Sequence, residues 1–297
     1  HFRALRWLNS IDQELGKWSD GPGGMQGPLA NQGCVTTFNL VGPFANDSMN
    51  GFYNPQPPEL GEAGPYQGKA PLEVDWRPLP SSFVNQCVLN LDVAVAQDED
   101  ATILLATTID SPQKRDARLL LAAHGSYKIW LDGKPVALRK EDQGFFVDSD
   151  IWTLPLAKGK QQLVIKLASS EGNGFDLLAR ITDAKLQPLT DLTIDASSSA
   201  LPTQKLQSFD GVTLTKRDES LSTQAEKLGK SENYHDALLG ALLYKDAQPR
   251  NAATPWRDIA DRLDDGCDSH CRIYSPYVTA GYMPLAPARP VRPMRWT

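Results

Sequence analysis

The 297-residue chain has no run of about 18 apolar residues, the length a helix needs to cross the hydrocarbon of a bilayer, so no transmembrane segment is expected. It has no excess of positive charge: 30 Lys and Arg against 36 Asp and Glu leave a net charge of −6 and a pI near 5.3. Nucleic acid and anionic lipid are both held by clustered basic residues, and this balance argues against either as a partner. A glycine-rich phosphate loop is missing too. Gly21-Pro22-Gly23-Gly24 follows no strand pattern and precedes no Lys-Ser/Thr pair. Paired carboxylates for glycoside hydrolysis do not stand out among 36 acidic residues. No catalytic residue, metal ligand or cofactor is assigned on these grounds, and a non-enzymatic role is expected.

Cysteine is scarce, with four residues: Cys34 and Cys87 widely spaced, Cys267 and Cys271 close together. All four are candidate disulfide cysteines; free thiols and, for Cys267-Asp268-Ser269-His270-Cys271, a metal site are the alternatives. A structural zinc needs four ligands and this segment offers at most three. The same segment could be imagined as a cysteine nucleophile with His270 beside it, but neighbours in sequence do not make a triad. The chain opens on His1 directly into helical pattern, with no visible signal peptide, which reads as a mature or excised piece of a longer protein.

What is present is ordered along the chain. Leu5, Leu8, Ile11 and Leu15 recur at helical spacing, so residues 3–18 are expected to form an amphipathic helix. A Gly/Pro linker ends this first region, 1–33. Val35–Val41 reads as a strand that ends at Gly42-Pro43-Phe44. A long Pro-, Gly- and Asn-rich loop follows to Pro71. Strand patterns then come in series at Glu73–Arg77, Val84–Val95, Ala101–Ile109, Arg118–Ala123, Tyr127–Leu131, Val136–Leu138, Ile151–Leu156, Gln162–Leu167 and Phe175–Thr182. Asp132-Gly133 is a hairpin turn signal. Short strands without helices between them predict a mainly β fold, a jelly-roll-like β-sandwich over 34–190 with flanking α-helices. Residues 191–217 read as a connector and 218–282 as a helical segment. The Pro/Arg-rich tail, 283–297, reads as extended.

Two segments carry a resemblance. Phe38-Asn39-Leu40-Val41-Gly42-Pro43-Phe44, then Gly51-Phe52, Pro57-Pro58-Glu59, Tyr66-Gln67-Gly68-Lys69 and Val74-Asp75-Trp76-Arg77, resembles the opening of a module of large bacterial proteins. That module often sits among tetratricopeptide repeats, upstream of a transglutaminase-like domain. Ile129-Trp130-Leu131-Asp132-Gly133-Lys134-Pro135-Val136 with Leu156–Lys166 is similar to PA14-like and galactose-binding-like sandwiches. The C-terminal helices, with Tyr234, Ala237, Leu238 and Ala241, resemble a tetratricopeptide-like pair. The resemblance implies a jelly-roll fold in the bacterial periplasm, on the outer membrane or secreted. It implies a protein partner or domains of the same chain, a surface glycan as the alternative ligand, or an accessory role to a transglutaminase-like enzyme. Calcium-dependent PA14 lectins carry an Asp-Asp pair before the Trp-Leu-Asp-Gly strand. Here His124-Gly125 stands at that position, which does not supply two hard oxygen ligands.

Three aromatics, Trp130, Trp76 and Tyr66, are the candidate ligand face. If Ile129 and Leu131 point into the core, Trp130 points out, where it would either stack on a sugar or lie under the 45–71 loop. Asp148-Ser149-Asp150, with Glu141-Asp142 nearby, is a cation candidate weighed against a solvated loop.

Overall fold

In a computed structural model the chain divides into two compact units, His1–Ser220 and Leu221–Thr297. The described residues are 32–95, 100–143, 145–169, 174–197 and 201–217, with isolated positions between 224 and 240. The expected helix over 3–18, Cys267, Cys271 and the tail lie outside them. In the second unit, positions 224, 227–229, 236, 239 and 240 are helical; the rest of the expected helical segment lies outside the described residues.

The first unit is a β-sandwich. Its strands in chain order are β1 (Asn39–Ala45), β2 (Tyr66–Gln67), β3 (Glu73–Val74), β4 (Arg77–Pro78), β5 (Val84–Asn85), β6 (Val88–Asn90), β7 (Ala101–Ser111), β8 (Arg115–Ala123), β9 (Gly125–Leu131), β10 (Lys134–Gln143), β11 (Asp150–Leu156), β12 (Gly159–Ser169), β13 (Asp176–Thr182) and β14 (Thr193–Asp195). Two short helices are α1 (Asn50–Tyr53) and α2 (Leu91–Val95). One sheet has the order β10-β9-β12-β7-β1-β4, and β14 pairs with β7 beyond the end of β1. The other has the order β11-β8-β13-β6-β5, and β2 pairs with β3 alone. Every pairing is antiparallel, and the chain crosses between the two large sheets at most connections from β7 to β13.

The main core lies between the sheets. Leu40, Ile103, Leu105, Ile129, Ile165 and Leu167 of the larger sheet meet Leu119, Leu121, Trp152, Leu154, Leu177 and Ile181 of the smaller. A second cluster covers the outer face of the larger sheet: Val41, Phe44, Leu104, Ala106, Trp130 and Val164, under Tyr66, Val74 and Leu206. This explains why Ala101–Ile109 reads as a continuous apolar run. Alternation disappears when both faces of a strand are buried, here with Ile103 and Leu105 facing inward and Leu104 and Ala106 outward. Full burial of each such aliphatic side chain is worth about 1.5–3 kcal/mol.

Three expectations change. The first strand does not stop at Gly42-Pro43-Phe44; it runs to Ala45 through a register shift between Val41 and Phe44. The patterns at Glu73–Arg77 and Val84–Val95 are each broken. The second turns back at Gln86-Cys87, both at positive φ, to pair β5 with β6, and then winds into α2. The 191–217 connector is not a free linker. It supplies β14, lays 201–210 on the outer face, and runs 215–217 along the free edge of β11, where Arg217 N donates to Ile151 O and Thr153 N to Thr215 O.

Candidate binding surfaces

Tyr66, Trp76 and Trp130 do converge. All three belong to the outer-face cluster, Trp76 at its half-buried edge. Trp130 is only 2% exposed, however, and so is not a free stacking platform. Its indole Nε1 donates to Gln207 O at 2.9 Å, and Phe209 meets its ring edge-on with centroids 5.1 Å apart. The cover over Trp130 comes from the connector, a source that strand alternation could not reveal. Tyr66 is buried against Phe44, donates its hydroxyl to Glu62 O at 2.8 Å, and burial pushes its phenol up.

The loop after β1 covers two lysines that sequence reading passed over. Lys128 of β9 and Lys166 of β12 are direct cross-strand neighbours on the outer face. Like charges so placed repel, and the loop answers with oxygen. Lys166 Nζ, fully buried, donates to Glu59 Oε1 at 2.5 Å and to Asn54 O at 2.9 Å. Lys128 Nζ donates to Phe52 O at 2.7 Å and lies 4.8 Å from the centre of the Phe52 ring. Glu59 also accepts from Gln56 N at 2.9 Å, closing the turn at Pro57–Leu60. Burial lowers Lys166 to a pKa of about 8, with Glu59 pulling the other way. Asn46 locks the start of the same loop: its Oδ1 accepts from Phe52 N and its Nδ2 donates to Ser169 O. Glu59 of Pro57-Pro58-Glu59 and Lys166 thus join the two segments on which the resemblance rests.

The acidic run before β11 is spoken for. Asp150 Oδ2 accepts from Arg139 Nη1 at 2.9 Å and from the Tyr127 hydroxyl at 2.7 Å, and Lys216 Nζ reaches Oδ1 at 2.6 Å. Trp152 Nε1 donates to the Tyr127 oxygen, and Arg139 Nη2 donates to Ala123 O and Gly125 O. Burial works against the Asp150 charge, but Arg139 and Lys216 outweigh it and hold the carboxyl below its ordinary range. Asp148 pairs with the buried Arg180 at 2.7 Å. Both carboxylates therefore face protein cations, so neither the cation site nor the solvated loop describes them. Among the described residues no group of three His, Cys, Asp or Glu side chains gathers as a metal site, and no described helix is long and apolar enough to cross a membrane.

His124 and Gly125 have structural settings of their own. His124 Nδ1 lies 3.3 Å from Asp176 Oδ2 and its ring tilts against Phe145. Gly125 sits at φ +73°, and a Cβ there would come within 2.1 Å of Ala168 O. Cys34 and Cys87 are joined as a disulfide that ties the segment before β1 to the β5–β6 turn.

Among the described residues, two recesses can be placed on the surface. One, about 170 Å³, lies beside the disulfide and is lined by Val35, Ile181, Leu189, Leu192 and Ile194 among others. The other, about 240 Å³, lies between the Asp132-Gly133 turn, Gln162 and residues 203–207.

No family model matches the chain, and no curated protein matches it. Among solved structures, a β-glucosidase from Kluyveromyces marxianus aligns at 15% identity and a TM-score of 0.33, over 59% of this chain and 21% of that one. The PA14 domain of the MpAFP antifreeze protein aligns at 16% identity and 0.22, over 35% of this chain and 49% of that one. The GH31 α-xylosidase of Xanthomonas citri aligns at 13% identity and 0.29, over 66% and 18%. The chain spans about a fifth of the two glycosidases and about half of the PA14 domain. These are partial likenesses at low identity, and the assignment of a mainly β, two-sheet architecture rests on the pairings above.

Proposed function

We propose that this chain is a non-catalytic binding module of a larger bacterial cell-envelope assembly, working in the periplasm, on the outer membrane or outside the cell. One observation carries the reading. The charged groups drawn furthest from water in the described sandwich, Lys166, Asp150, Arg139 and Arg180, are each closed in an ion pair with another side chain of the same unit. Catalytic acids and bases combine a shifted pKa with an open side facing substrate; these groups hold sheets, loop and connector together instead. The Cys34–Cys87 disulfide supports an oxidising compartment.

The test is intact mass of the natural protein isolated under native conditions, with and without reductant. A stoichiometric companion, or a polypeptide well above 32.6 kDa, is expected. A lone chain of that mass, without companion, overturns the reading.

A further inference from the structure

The recess of about 240 Å³ between the β9–β10 turn and residues 203–207 differs in kind from the covered outer face beside it. Its wall is a strap fastened at several points. Leu206 N donates to Glu59 O at 2.7 Å, Gln207 N to Gly133 O at 2.9 Å, and Trp130 Nε1 to Gln207 O. Leu206 is buried in the outer-face cluster, whereas Thr203, Gln204, Lys205 and Gln207 stay exposed. The opposite wall is equally fixed. The turn has positive φ at both Asp132 and Gly133, and Asp132 accepts from Gln162 N and Gln161 Nε2, both at 2.8 Å. A rigid wall loses little freedom when a ligand arrives, so modest contacts can yield measurable affinity.

From this geometry we infer that the recess is a binding site for one neutral polyhydroxyl ring, a single pyranose unit of a glycan. The volume of about 240 Å³ lies below the roughly 300 Å³ at which pockets for drug-sized ligands begin, which suits one ring. Amides and hydroxyls both donate and accept, as sugar hydroxyls do. Thr203, Gln204 and Gln207, three residues that carry such groups, line the recess and are exposed. The two charges of the lining, Lys205 and Asp132, are opposite and offset each other. A phosphate or carboxylate ligand would call for a cationic excess. This site rests on the reading of the chain as a binding module and names its ligand class.

The probes are methyl glycosides of glucose, galactose, mannose and N-acetylglucosamine, titrated into the whole chain while amide resonances are followed by NMR. At least one should shift residues 132–133 and 203–207 with a Kd of about 0.1–10 mM, the range open to a few hydrogen bonds in one small recess. The exposed double variant Gln204→Ala/Lys205→Ala should weaken that binding about tenfold with the melting temperature unchanged; Thr203→Ala is the second variant. Shifts elsewhere on the chain, an affinity indifferent to both variants, or no response to any glycoside would each overturn the assignment. So would sulfate binding that competes at the same residues, since it would mark an anion site. A protein companion found without sugar binding would refute this site and leave the binding-module reading standing.

Discussion

Lys166 is where the chemistry of single residues is most exposed to test. It sits in the Leu163–Leu167 stretch, on a face that buries Val164 and Trp130 beside it. Replacing Lys166 by Met keeps the length and leaves Glu59 buried without its cation. Breaking such a pair costs about 3–5 kcal/mol, whereas removing both charges is often close to neutral. Lys166→Met should therefore lose about that much in urea unfolding, and Lys166→Met/Glu59→Gln should recover most of it. The pH dependence has a definite sign. The folded pKa of about 8 lies below the ordinary lysine value of 10.5. Between those two values the unfolded chain binds more protons, so this group makes stability rise with pH across that window. The penalty for its buried charge is fully present below pH 8. The rise should vanish in the double variant.

Elements were legible where one face was buried and the other wet, or where both were buried. The strand patterns from Ala101–Ile109 through Phe175–Thr182 find counterparts in the two large sheets because their apolar residues face the common core or its outer cover. Val84–Val95 misled because Leu89, Leu91, Val93 and Val95 alternate in sequence. Leu91 and Val95, four apart, are both buried while Val93 is 57% exposed, the spacing of a helical turn. The paired halves of the Lys166–Glu59 and Asp150–Arg139 contacts lie 107 and 11 residues apart, and no local pattern links them. Only the unusual placement of Lys166 within an apolar strand hinted that a carboxylate had to come from elsewhere. The disulfide acts at this same scale, across 53 residues. The loop-entropy relation assigns such a closure about 4 kcal/mol. Cys34→Ala/Cys87→Ala should lower stability by up to that amount, measured by denaturant titration against the oxidised protein, and a loss below about 1 kcal/mol would mean that the reduced chain is restrained by other means.

At the scale of the molecule, the division at Ser220 places the whole connector with the sandwich. A chain ending at residue 220 should keep one cooperative transition and a blue-shifted tryptophan emission. A chain ending at residue 200 loses Leu206, Gln207 and Phe209 from the surroundings of Trp130, along with Lys216 from Asp150. Its emission should move to the red and its transition broaden. Equal behaviour of the two would show that the strap is ornament to the fold and not part of it.

The late position of that strap also matters during synthesis. Strands β1 to β13 are complete by Thr182, yet the apolar outer face around Trp130 lacks the part of its cover that Leu206 and Phe209 supply until those residues have been made. A nascent chain in that interval carries a wet hydrophobic surface on an otherwise finished sheet, the kind of surface that sticks to its neighbours. Slow translation across 183–210 would prolong the exposure and, with it, the time in which a newly made copy can stick to another.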